Sequence, residues 1–423
     1  MNRFVFTSYE YSEEKATAYF RYAFEDGQTF KEQVAFKPSK AYNPGALDRA
    51  LFLAFVLIGT SYYKTFPSHE VVMDQPLDAW QVTFFNHVYQ EGLGQFAFEN
   101  DLTRDDLAHF TVSDQGDGGV PTASGGEGRL VLQSGGKDSL LVASLMEEKG
   151  HDFTPWYLSS STNYPQLLDT LAAPLLPAQR TIDRDALKAA SEKGAKNGHV
   201  PITYIVQSLA LIQAILLGKR DVLVSIAHEG EEAHDYIGDL AVTHQWSKTW
   251  QAEQDFAEYV TRYIATDMRV GSPLRGYSEL YVAELFVQHA WKKYGHEFSS
   301  CNVANYQQGN DNSTLKWCGN CPKCANSYLL FAPFVQADDL KSLFNGQDLF
   351  AKPTLQRTFK GLLGIDGEPK PFECIGEIDE LRRAYHMAQA QADYAPLSFD
   401  VPESDFDYRH TYDAQDWAQK MLQ

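Results

Sequence analysis

At 423 residues, with 44% hydrophobic and 13% aromatic side chains, the chain can bury a large core and hold two or three domains. A formal net charge of −20 excludes a broad phosphate-binding surface, because non-specific nucleic-acid affinity comes from Lys and Arg, and it leaves only a local basic pocket open. The first residues, MNRFVF, lack the cationic-then-apolar layout of a secretory signal, and the longest apolar run, residues 50–59, is too short to cross a bilayer. These features predict a cytoplasmic protein with neither nucleic-acid nor membrane partners.

In the first forty residues, three short runs rich in Phe, Tyr and Val are separated by Ser12-Glu13-Glu14 and Glu25-Asp26-Gly27, which predicts an antiparallel meander. Residues 47–63 and 80–89 follow with helical spacing, giving an α+β N-terminal domain over 1–112. Tyr62, Tyr63 and Trp80 there are expected in the core rather than stacked on a ligand. Residues 113–128 are rich in Gly and lack large apolar side chains, as in a flexible linker.

After the linker, residues 129–133 read as a buried strand, 140–149 as a helix stopped by Gly150, and 155–159 as a second strand. Residues 202–217 form an apolar helix broken by Gly218, and 221–227 a further strand. This alternation predicts an α/β domain over 129–335, with a parallel sheet covered on both faces, followed by a C-terminal segment over 336–423. Ligands in such sheets sit at the carboxyl ends of the strands, so loop 134–139, Ser159-Ser160 and His228-Glu229 are expected to converge.

The loop Ser134-Gly135-Gly136-Lys137-Asp138-Ser139 runs from strand to helix, where backbone N–H groups and the helix dipole favour an anion. Gly135 and Gly136 allow close approach, Ser134 and Ser139 offer hydroxyls, Lys137 offsets phosphate charge, and Asp138 is placed to hold Mg²⁺. The spacing is not that of a Walker A loop. Further on, Cys318, Cys321 and Cys324 lie within seven residues and Cys301 lies upstream, a soft ligand set suited to a closed, structural Zn²⁺ site. An iron–sulfur cluster and four unligated thiols are the alternatives, and Lys316 and Lys323 are expected to offset thiolate charge.

The loop resembles the PP-loop of the ATP pyrophosphatases. The resemblance implies an adenine nucleotide alpha hydrolase-like fold, phosphate binding by residues 134–139, and substrate adenylation by ATP with release of pyrophosphate. The cysteine cluster is similar to the zinc motif of 7-cyano-7-deazaguanine synthases, although the gap after Cys301, Lys137 in the loop and the N-terminal domain depart from them. Six further segments, LIGTSYYK (57–64), EGLGQF (91–96), GHVP (198–201), HQWSK (244–248), FSSC (298–301) and KPFECIG (370–376), look like those of the UDP-N-acetylmuramoyl-L-alanyl-L-glutamate epimerases. That resemblance implies an ATP-dependent inversion of the terminal glutamate of a nucleotide-sugar dipeptide, a small-molecule substrate of peptidoglycan synthesis. A deazapurine-modifying synthase and a nucleotide-binding module without turnover are the alternative readings.

Cys374 stands outside the cluster and is a candidate base for α-carbon epimerisation, against a buried structural thiol. His228 and Glu229 follow a strand and are candidates to position water or exchange a proton, against a solvated loop. His199, His244, Lys248 and Arg275 are candidates to bind the substrate's carboxylate or diphosphate, against ordinary surface charges. Arg275 is the best suited by its bidentate fork.

Overall fold

The computed structural model describes residues 2–38, 42–113, 120–161, 163–307, 313–391 and 393–422. Phe4–Ser12 (β1), Thr17–Phe24 (β2) and Thr29–Ala35 (β3) form the expected antiparallel meander, turning at the two acidic segments. Along β3 exposed and buried residues alternate throughout, so Phe30, Glu32 and Val34 face inward. Val71–Val72 (β4) pairs parallel with β1.

The meander does not stand alone. Arg129–Leu132 (β5), Thr154–Ser159 (β6), Leu176–Thr181 (β7), Asp221–Leu223 (β8) and, after the small hairpin Asp235–Ile237 (β9) and Leu240–Val242 (β10), Arg269–Gly271 (β11) complete a nine-stranded sheet. Its order is β11-β8-β5-β6-β7-β3-β2-β1-β4, with the first five strands parallel and β3 antiparallel to β7. One sheet therefore runs across the boundary expected at 113–128. The linker expectation for residues 114–119 lies outside the described residues. Residues beyond it are docked: Thr122 bridges Ala265, and the Ser124 N–H donates to Asp267 at 2.6 Å. Strand β8 is also shorter than the 221–227 run, because from Ile226 the backbone N–H turns to the Ser272 hydroxyl instead of a ladder.

Side chains alternate across the sheet into two cores. Leu130, Trp156 and Val222 join the aromatic meander residues and the helices Pro44–Tyr63 and Ile202–Leu217 on one face. Val131, Tyr157 and Leu223 join helices Lys137–Glu148, Glu279–His289, Pro322–Phe331 and Ile378–Gln389 on the other. Helix Pro44–Tyr63 starts on a proline with Asn43 as its cap and carries the run 50–59 into a longer apolar element. Among the described residues it is the one helix long and apolar enough to span a membrane, but 78% of that window is buried in the protein. Tyr62 and Tyr63 are fully buried there, and the Tyr62 hydroxyl donates to Glu32 at 2.8 Å.

The seam between the antiparallel and parallel strands contains a buried ion pair. Arg180 on β7 donates to Glu32 on β3 at 2.6 and 3.2 Å, with side-chain exposures of 8% and 0%. Removing one partner strands a charge in low dielectric. Arg180→Met should therefore destabilise the fold by about 3–5 kcal/mol, while Glu32→Leu combined with Arg180→Met should recover most of it. Denaturant midpoints of the three proteins check this, and equal midpoints would refute it.

Candidate functional site

Loop 134–139 leaves the carboxyl end of β5 and enters helix Lys137–Glu148, whose cap residue Gly136 provides no side-chain bond. Ser139 Oγ accepts from the Ser134 N–H at 3.2 Å, and Ser134 Oγ accepts from the Gly136 N–H at 3.2 Å. Gly135 adopts φ +81°, and a Cβ there would meet Leu315 Cδ1 at 2.7 Å. Gly135→Val should thus distort the loop and weaken anion binding on its backbone by at least about tenfold, with a measurable drop in melting temperature, since strain and clash fall on a buried position packed against Leu315 and Pro165. Wild-type affinity of this variant for inorganic pyrophosphate would count against an anion-binding role for the loop.

A cleft of about 330 Å³ opens over the loop, within the range of small-molecule sites. Ser134, Gly136, Asp138 and Ser139 line it with Lys248, Lys323, Cys374, Ser300 and Asn302. A larger cavity of about 530 Å³ lies over β2, β3 and β7; of the residues expected at the site it holds only Ser160, and Ser159-Ser160 do not line the cleft over the loop as expected, so chemistry, not size, selects the smaller one.

Lys137 departs from expectation. Its ammonium is buried and bonded to its neighbour Asp138 and, at 2.6 Å, to Glu279 at the start of helix Glu279–His289. Burial opposes its charge, but these two carboxylates outweigh it and raise its pKa. Lys137 therefore supports Asp138 from below and is not a free cation for phosphate.

On the far wall, Lys248 donates to Cys374 Sγ at 3.4 Å and to both Glu229 oxygens at 3.3 and 3.4 Å. Glu229 is buried at 7% exposure, not solvated. Burial disfavours its charge, yet Lys248, Lys323, Lys137 and Arg275 together hold its carboxyl below the ordinary value. Lys323, expected to balance the thiolates of the cysteine cluster, donates instead to the Cys374 carbonyl.

Arg275 is the clearest correction. It is 0% exposed, and its fork is occupied by Glu253 (2.9 Å) and the carbonyls of Ala227 and Lys248 (both 2.8 Å), so no donor faces substrate. His228 also turns away from the cleft, stacking on Tyr412 with ring centroids 3.5 Å apart. Burial, with Arg275 and His410 nearby, pushes His228 down to about 4. His199 and His244 lie side by side, with centroids 4.9 Å apart, behind the site. Burial and neighbouring cations lower His199 to about 4 and His244 to about 2, so both are neutral at physiological pH and bring no charge to a diphosphate.

The four thiols of Cys301, Cys318, Cys321 and Cys324 lie within 4.8 Å of one another, with Sγ separations of 3.5, 3.6 and 3.7 Å. A tetrahedron with metal–sulfur bonds of about 2.3 Å has edges of about 3.8 Å, so the donor set fits zinc in size and chemistry. The cluster frames the cleft: Ser300 and Asn302 flank Cys301, and Lys323 lies between Cys321 and Cys324. Glu279, Ser300, Asn302 and Lys323 were not expected as site residues. FSSC and the cysteine cluster were the available signal for Ser300 and Lys323, whereas Asn302 lies just past the former and Glu279 reaches the site only through tertiary contact.

The C-terminal stretch packs closely on this region. Ser278 Oγ donates to the Tyr408 carbonyl at 2.6 Å, and Gln415 donates to Glu253 at 3.0 Å, bracing the carboxylate that holds Arg275.

The class is that of an α/β enzyme whose polar groups gather at the carboxyl edge of parallel strands. Family models described as the MurL N-terminal domain and the MurL C-terminal domain match residues 1–272 and 297–401, and the chain belongs to the MurL family. Curated relatives bear the name UDP-N-acetyl-alpha-D-muramoyl-L-alanyl-L-glutamate epimerase. The protein from Xanthomonas oryzae pv. oryzae is 32% identical over 379 residues, covering 88% of this chain and 82% of the relative. That from Salinispora tropica is 31% identical, covering 90% and 83%, and that from a Micromonospora species is 30% identical, covering 90% and 85%.

Proposed function

We propose that the protein is an ATP-dependent epimerase that converts the terminal L-glutamate of UDP-N-acetylmuramoyl-L-alanyl-L-glutamate to D-glutamate, a cytoplasmic step in peptidoglycan precursor synthesis. The observation that carries this reading is that Cys374 and the glycine loop line one cleft in a chain of the epimerase family.

An ionised carboxylate makes its α-hydrogen a poor acid, because a carbanion beside it would face a second negative charge. In this reading the glutamate carboxylate on the α-carbon attacks the α-phosphorus of ATP, a co-substrate, and pyrophosphate leaves. The acyl-adenylate carbonyl can then accept electrons. The loop acts as a PP-loop: its backbone and the Ser134 and Ser139 hydroxyls hold the phosphates. Asp138, facing the cleft above Lys137, would hold Mg²⁺, which offsets charge on the leaving pyrophosphate. Cys374 as a thiolate takes the α-proton and the electron pair moves to the carbonyl oxygen. A proton is returned on the other face, and water releases AMP. Cys301, Cys318, Cys321 and Cys324 would hold a zinc ion that takes no part in these steps and would fix the cleft wall, because four thiolates leave no open position.

Incubation with ATP, Mg²⁺ and the dipeptide substrate in deuterated water should yield D-glutamate carrying α-deuterium, with AMP and pyrophosphate. Chiral analysis finding neither D-glutamate nor α-deuterium would overturn the proposal.

A further inference from the structure

Lys248 was expected to bind substrate, but its surroundings give it another task. Among the described residues it is the charged side chain whose hydrogen bond reaches Cys374 Sγ, at 3.4 Å. Its backbone is held by Arg275, which donates to the Lys248 carbonyl, and Glu253 anchors Arg275 in turn. Its ammonium is held by Glu229. An ammonium built so firmly against a thiol has little freedom to follow a substrate.

We propose that Lys248 is a positioning residue that keeps Cys374 as a thiolate directed at the cleft, with Glu229 and the Arg275–Glu253 pair fixing Lys248 in place. This rests on the reading of Cys374 as the base. Lys248 is not the opposing acid of a two-face epimerisation. Two groups on opposite faces of one α-carbon, each at a contact of about 3–3.5 Å, are separated by about 6 Å or more, and 3.4 Å puts Lys248 and Cys374 on the same side.

The groups around the thiol support the assignment. From the strand-end loop comes Glu229, which bonds Lys248. From helix Pro322–Phe331 comes Lys323, which is directed to the Cys374 carbonyl. Glu373, beside the thiol in the chain, accepts from Asn302 at 3.0 Å and is raised chiefly by burial. His244, lining the chamber behind Cys374, is neutral. Asp138, across the cleft, is tied to Lys137. Burial opposes charge on Lys248, but Cys374, Glu229, Asp138 and Glu279 outweigh it and raise its pKa, so the cation persists at working pH.

The test uses the full chain and follows iodoacetamide alkylation of Cys374 against pH, read by peptide mass so that the clustered thiols are resolved, alongside the pH profile of kcat/KM. In Lys248→Met the acid limb of both profiles should move up by about one pH unit or more, since an opposite charge at this range favours the ionised thiol by that much. Lys248→Arg, which keeps the charge, should stay near wild type. Should Lys248→Met fail to fold, Lys248→Gln retains a donor without the charge and gives the same readout. Superposable alkylation profiles in wild type and the uncharged variant would overturn the proposal. The alkylation measurement does not depend on turnover, so it separates this failure from that of the base assignment, which a fully active Cys374→Ala protein would reveal.

Discussion

Cys374→Ala should lower the rate of glutamate inversion by at least about 100-fold, the scale on which a positioned general base contributes. ATP cleavage to AMP should continue in the variant, because the loop at residues 134–139 and the acidic side chains near it are untouched. The expected signature is therefore uncoupling: AMP accumulates, the dipeptide is recovered with L-glutamate, and no α-deuterium enters from deuterated water. Chiral analysis beside nucleotide quantification reads both halves. D-glutamate formed at the wild-type rate would remove Cys374 from the chemistry and return it to a packing role. The expectation rests on the thiol lining the cleft with Lys248 bonded to it, a partner that a purely structural cysteine does not require.

The second large effect concerns the cysteine cluster. Cys324 is fully buried on helix Pro322–Phe331, and the same short segment carries Lys323 to the Cys374 carbonyl. If the four thiols bind zinc, Cys324→Ser removes a ligand from a closed site and leaves the rest of the cluster without its cross-link. Structural zinc contributes about 10–16 kcal/mol in small domains that have little else, and a smaller share is expected where a large core surrounds it. A loss of several kcal/mol should lower the melting temperature by at least about 5 °C for a chain of this size. Both activity and zinc content, measured by metal analysis of the purified protein, should fall together. A wild-type protein with no zinc, iron or other bound metal would refute the assignment of the thiols as ligands.

How much of this was legible beforehand depends on whether a feature is local. The strand-turn-helix around Ser134–Ser139 was legible because glycine at a positive φ and the change from a short apolar run to helical spacing are written in neighbouring residues. The cysteine set was legible for the same reason. The role of Lys137 was not: loop position suggests a phosphate cation, and only the approach of Glu279, 142 residues away, uses that charge internally. Arg275 reads as a free fork in the chain and is a sealed one in the fold, because Glu253 and two carbonyls reach it first. The histidines were expected to meet substrate, but His228 turns away from the cleft, His199 and His244 lie behind it, and their charge state follows from burial, which no local pattern reports.

By itself the sequence determined the glycine loop, the thiol set, the meander and the helices near 47–63, 140–149 and 202–217, since each depends on periodicity, turn chemistry or spacing within a few tens of residues. The tertiary structure decided that the meander continues the parallel sheet through β3 and β7, and that Cys374, Lys248 and Glu229 meet over the loop. Those outcomes turn on which distant groups share a low-dielectric interior, where a buried charge must find a partner wherever in the chain that partner lies.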